Sequence, residues 1–169
     1  MINFIFLFIT MSVSSFSTDL PQIRKEYYAA VNSEKASDKF YQRLKQLNSD
    51  KPLLKAYLGS AQAIRARHAI NPYNKIKYLN EGLKTLQIAV KNDPENLEIR
   101  FLRFSLQHYV PAFLGKSKEL TMDKTKIVSL FSQRKFGSLD EPMLRSIVSF
   151  MKESKRCSVS DISVLDRSI

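Results

Sequence analysis

The side chains able to do chemistry are few and stand far apart. The chain holds one cysteine, Cys157, and two histidines, His68 and His108, which are forty positions apart. A nucleophilic thiol needs a base within hydrogen-bond reach and a third group to orient that base. Cys157 is flanked only by Lys155 and Arg156, whose charges would lower a thiol's pKa modestly. It lies near a polar C-terminus, a poor place to hold a catalytic geometry. The spacings of a zinc-binding H-E-x-x-H, a cysteine-pair metal site, a P-loop and a G-x-G-x-x-G turn are all missing. The expectation is a protein that is not an enzyme and needs no cofactor. With a single cysteine no intramolecular disulfide can form, so the fold must stand on packing.

Recognition chemistry is better represented. Arg100, Arg103 and Gln107 are spaced by three and four residues, so on a helix they fall within about 60 degrees of one another. Such a stripe reads as a row of charge-assisted donors facing a groove, suited to a partner's carboxylates or carbonyls. The competing reading is that it covers the one exposed side of an enclosed helix, or pairs with Glu81, Asp93 or Glu98. Arg65 and Arg67 form a second candidate set, inside the stretch from Lys51 to Asn80 that has six basic residues and no acidic one. The formal net charge is +11, and residues 51–135 hold sixteen Lys and Arg against six Asp and Glu. That segment carries a positive field. Tyr57 and Tyr78 fall inside predicted helices, which argues for packing rather than for stacking on bases.

These residues must be positioned by helices. Glycine is scarce, and turn-bounded runs of β-branched residues are missing, whereas apolar residues recur at steps of three and four. The spacing predicts seven helices and one core: from Leu20 to about Val31, with Asp19 as cap; from Ser33 or Ser37 to about Leu47; from Leu53 to about Ala69; a central helix through Ile76 to Lys91; from Glu95 to about Tyr109, started by Asp93-Pro94; from Thr121 to Arg134; and one opened by a Ser138–Glu141 capping box and running to Lys152. The segment from Val110 to Leu120 reads as a loop whose Phe113 and Leu114 tuck back into the core. Beyond Glu153 the serine-rich residues 153–169 read as a disordered tail.

Gly82, Leu86, Ala89 and Pro94 have the spacing of the second helix and closing turn of a tetratricopeptide repeat, and the chain resembles that family over about residues 20–110. Leu58-Gly59 is the nearest candidate for the first-helix pair, about eleven residues further upstream than the 34-residue period places it. In the following repeat Arg100, Arg103 and Gln107 stand where the family pattern wants apolar or small residues. The stretch EIRFLRFSLQ followed by PAFLG is also similar to short exported bacterial proteins of this type. The resemblance implies an all-α fold of antiparallel hairpins stacked in a right-handed array, and it implies no activity.

Residues 1–18 carry no charged side chain and include an apolar run of signal-peptide length, followed by Ser15-Phe16-Ser17 as a small-x-small site. The expectation is a cleaved signal peptide and an exported chain, in the periplasm or outside the cell, with no membrane-spanning helix in the mature protein. An uncleaved anchor and a buried N-terminal helix are the alternatives. Residues 19–152 form the single expected domain. The functional expectation is a monomeric helical-repeat scaffold that binds a protein or an acidic envelope component. The alternative is a basic polyanion binder, of nucleic acid or anionic lipid, using residues 51–135, for which export makes nucleic acid an unlikely target.

Overall fold

The computed structural model describes residues 19–116 and 118–169. The export segment expected over residues 1–18 lies outside the described residues. Among those described the chain is all-helical and has no strand, with eight α-helices: α1 (Leu20–Asn32), α2 (Glu34–Leu47), α3 (Pro52–His68), α4 (Pro72–Asn92), α5 (Leu97–His108), α6 (Leu120–Ser132), α7 (Glu141–Glu153) and α8 (Val159–Arg167). A short 3-10 turn, Ala112–Leu114, sits between α5 and α6.

The helix starts follow local chemistry. Proline stands in the first turn of α1, α3, α4 and α7, where its missing N–H costs nothing. Ser33 caps α2, Asn71 caps α4 and Asn96 caps α5, each side chain accepting from a backbone N–H of the first turn. Two starts differ from expectation. Pro94 and Glu95 form a turn rather than the first turn of α5, because Asn96 takes the cap and Asp93 accepts from the Asn96 amide at 2.9 Å. At α7 the cap is Asp140, which accepts from Met143 N at 3.0 Å, and the Ser138 hydroxyl instead accepts from Arg24.

The α3–α4 hairpin is the most intimate helix pair. Gly59 of α3 faces Gly82 and Leu86 of α4, and Ala63 faces Gly82, so rising numbers on one helix meet falling numbers on the other. A Cβ on Gly82 would lie 2.5 Å from the Gly59 carbonyl oxygen and 2.7 Å from the Ala63 Cβ. No real Cβ tolerates that approach, so both glycines are required by backbone contact. Their weak helix propensity, about 1 kcal/mol each, is offset by this packing.

The apolar residues divide into two cores, where the sequence predicted one. The first joins α1 to α5 through Ile23, Phe40, Leu54, Tyr57, Leu86 and Ile99. The second joins α5 to α8 through Phe104, Ile127, Phe131, Ile147, Met151 and Leu165. Helix α5 contributes to both, which explains why apolar residues surround it. Each fully buried Leu, Ile or Phe contributes about 1.5–3 kcal/mol to holding these clusters closed.

The expected disordered tail is replaced by an ordered helix. Ser158 accepts from Asp161 N at 3.1 Å, and Asp161 accepts from Ser158 N at 2.9 Å, a reciprocal capping box that opens α8. Leu165 is fully buried in the second core. Lys124 on α6 and Lys152 on α7 reach Asp161 and Asp166 at 2.8 and 2.7 Å. The segment is polar on average, yet one apolar side chain in the right place supplies the anchor. Phe113 also departs from expectation, being 86% exposed rather than folded into the core.

Candidate ligand-binding groove

The stripe on α5 is not a docking face. Arg100, Arg103 and Gln107 are all buried, Arg103 to 1% exposure. The Asp123 carboxylate on α6, at 0% exposure, accepts from Arg100 Nη1 at 2.9 Å and from Arg103 Nε and Nη2 at 2.7 Å each. Arg103 Nη1 also donates to Gln87 on α4, and Gln107 Nε2 donates to Glu119 Oε2 at 2.6 Å. Buried guanidinium groups need this: without carboxylate partners their desolvation costs several kcal/mol per ion. The stripe therefore clamps α5 to α6, and its partner is neither Glu81, Asp93 nor Glu98.

Glu98 anchors a second buried cluster on α5. Arg24 of α1 donates to its two carboxylate oxygens at 2.8 and 2.7 Å, a bidentate pair, and the Tyr57 hydroxyl of α3 donates to Oε1. Arg24 also donates to the Ser138 hydroxyl at 3.0 Å. The hydrogen bonds to Glu98 hold Arg24 charged against its burial, and burial, reinforced by Glu98, raises the Tyr57 phenol far above its ordinary range.

The other reactive groups are occupied or remote. His68 Nε2 is 3.0 Å from the Ala30 carbonyl. His108 Nδ1 accepts from Arg156 at 3.0 Å, and burial together with the Arg156 charge lowers its pKa. Burial and Asp161 push the Cys157 thiol up, the reverse of the modest lowering that Lys155 and Arg156 implied. No three His, Cys, Asp or Glu residues among those described gather as metal ligands.

Of the two arginines in the basic stretch, Arg65 is held between the rings of Tyr41 and Tyr78, with its guanidinium carbon 4.4 and 4.3 Å from their centroids. It also donates to Asp38 at 3.3 Å. Arg65 lines a polar cleft of about 360 Å³ with Glu34, Asp38 and His68, a site of mixed charge. Lys55 pairs with Asp50, whereas Lys51, Arg67, Lys75 and Lys77 make no ion pair among the described residues.

Arg67 leads to a larger concavity. A groove of about 790 Å³ opens between α1, α3, α4, α5, the 3-10 turn and α7. Its walls are apolar and aromatic, with Tyr27, Ile76, Phe101, Leu106, Tyr109 and Phe150 prominent. Among the described residues two charged side chains line it, Arg67 at the end of α3 and Lys75 at the start of α4. Both are exposed cations, and no acidic residue among those described lines the groove with them. Family models, curated proteins and solved structures were all compared with this chain, and none matches it.

The stripe and the groove explain each other. The helix periodicity that assigned Tyr27, Val31 and Leu106 to the core was locally right, but α1, α5 and α7 do not close fully upon one another. The groove was missed because no rule of sequence spacing reports a gap between helices. The one available signal was the pair Tyr27-Tyr28 next to Val31, more aromatic surface than a short amphipathic helix can bury in a single neighbour.

Tyr27 gives the groove wall a pH signature. Burial pushes its phenol up to about 12 from an ordinary value of 10, with Ser105 offsetting part of the rise. The folded state then holds this proton more tightly than the unfolded chain does. Its contribution is fully present below about pH 10 and is lost as pH rises from about 10 to about 12. Urea unfolding across that range, followed alongside phenolate absorbance, is expected to show stability falling while Tyr27 ionises only with unfolding.

Proposed function

We propose that this chain works by binding, and that its ligand site is the groove between α1, α3, α4, α5 and α7. The observation that carries this is the pairing of a large apolar groove with two unpartnered cations and no acid on its walls. Ligand sites are typically concave and mostly apolar with a few polar groups that fix orientation. An apolar body with a negative charge matches this groove on both counts. The exported, tetratricopeptide-like reading belongs to the same proposal: the antiparallel α3–α4 hairpin with glycines at its crossing supports it, and an acidic envelope component is a suitable partner. No described helix is long and apolar enough to cross a membrane.

A general polyanion binder is the weaker reading. Within the basic stretch Arg65 and Lys55 are already neutralised by Asp38 and Asp50. Arg100 and Arg103, counted in the positive segment, are buried against Asp123. The field available to a nucleic acid is smaller than the formal charge implies.

An anionic naphthalene-sulfonate dye tests the groove directly. The wild-type chain is expected to enhance its fluorescence with saturation. Ile76→Asp, which places a charge on an apolar wall residue that is 40% exposed, is expected to abolish this without changing the thermal midpoint. The charge-reversing pair Arg67→Glu and Lys75→Glu is expected to weaken it about tenfold. Unaltered dye binding in all variants would place the site elsewhere.

A further inference from the structure

The distribution of charge along the groove is one-ended. Arg67 and Lys75 both belong to the end of the α3–α4 hairpin where the two helices turn. The walls supplied by α5, the 3-10 turn and α7, including Phe101, Leu106, Pro111, Leu114 and Phe150, contribute no charged group. A ligand matched to this arrangement has its charge at one terminus and an apolar remainder. An amphipathic helix distributes charge differently, along one side for its whole length.

Resting on the binding function proposed above, we infer that the groove takes a single-chain fatty-acyl carboxylate, its head between Arg67 and Lys75 and its chain along the aromatic wall toward Phe150. The head group gains two cations that have no competing acid in the groove. The chain covers the apolar side chains that the helices leave open. Tyr28 and Tyr109, 51% and 74% exposed on the groove lining, are the surfaces such a chain would cover.

The test is calorimetric titration of the full chain with a homologous series of saturated carboxylates, and with the alcohol matched to each. Affinity is expected to rise about fourfold per added methylene until the groove is filled. The alcohols are expected to bind about tenfold more weakly, and that difference is expected to vanish in the Arg67→Glu, Lys75→Glu variant. Affinity independent of chain length, or equal for acid and alcohol, would overturn the inference. So would tighter binding of an acidic amphipathic peptide or of anionic vesicles than of any carboxylate. Carboxylate binding seen only after residues 1–18 are removed would assign the groove to that segment and equally overturn it. If the dye saturates with the expected variant pattern while the carboxylates fail, the acyl ligand alone is wrong. If neither binds, the groove itself is not the site.

Discussion

Asp123→Ala is expected to cost about 3–5 kcal/mol of folding stability, seen as a large fall in the urea midpoint. The substitution removes the only carboxylate that accepts from both Arg100 and Arg103 among the described residues. Two guanidinium groups are then left in a dry interface between α5 and α6. Coulombic attraction at these distances offsets their desolvation only while the carboxylate is present. Against a total stability of about 5–15 kcal/mol for a domain of ordinary size, such a loss is large enough to populate the unfolded state. Arg103→Ala is expected to destabilise as well, where an exposed stripe would have left stability unchanged. A shift of less than about 1 kcal/mol for Asp123→Ala would show that the interface admits water and that the clamp is not dry.

Glu98→Ala is expected to produce a loss of the same order, about 3–5 kcal/mol, for a related reason. Among the described residues Glu98 is the sole carboxylate on Arg24, and it also receives the Tyr57 hydroxyl. Its removal uncouples α1 and α3 from α5 at once. Glu98→Gln keeps the shape and one acceptor but not the charge, and is expected to recover less than half of the loss. Amide hydrogen exchange distinguishes the two clusters: Glu98→Ala should first loosen α1, and Asp123→Ala should first loosen α6. Equal loosening of both in either variant would mean that the two cores open as one unit.

The buried clusters also place the groove. Helix α5 is fixed to α1 and α3 by Glu98 and to α6 by Arg100 and Arg103, so its Phe101, Leu106 and Tyr109 are held at a set distance from Tyr27 and Ile76. With that spacing the helices cannot collapse to fill the gap. An apolar cavity that persists costs stability, since lining atoms lose their van der Waals partners. A ligand that fills it recovers those contacts.

The sequence by itself determined seven of the eight described helices. Pro21 in the first turn of α1, Ser33 as the cap of α2, and apolar residues at steps of three and four act within one or two turns of chain, so spacing alone reports them. It also marked Gly59 and Gly82 as small residues, though not that each carbonyl would lie against the other's Cα. Tertiary structure decided which charges are free. Arg103 and Asp123 are twenty residues apart and on different helices, beyond any spacing rule, and their meeting turned an apparent binding stripe into a structural clamp. Arg67, two residues from Arg65 on the same helix, stays unpaired because no acid among the described residues folds beside it. The tail became α8 for the same kind of reason: its capping box, Ser158 to Asp161, was legible, but the burial of Leu165 exists only once α6 and α7 are in place. Local chemistry fixes where a helix starts and ends, whereas desolvation, which depends on what every other helix does, fixes what its side chains are for.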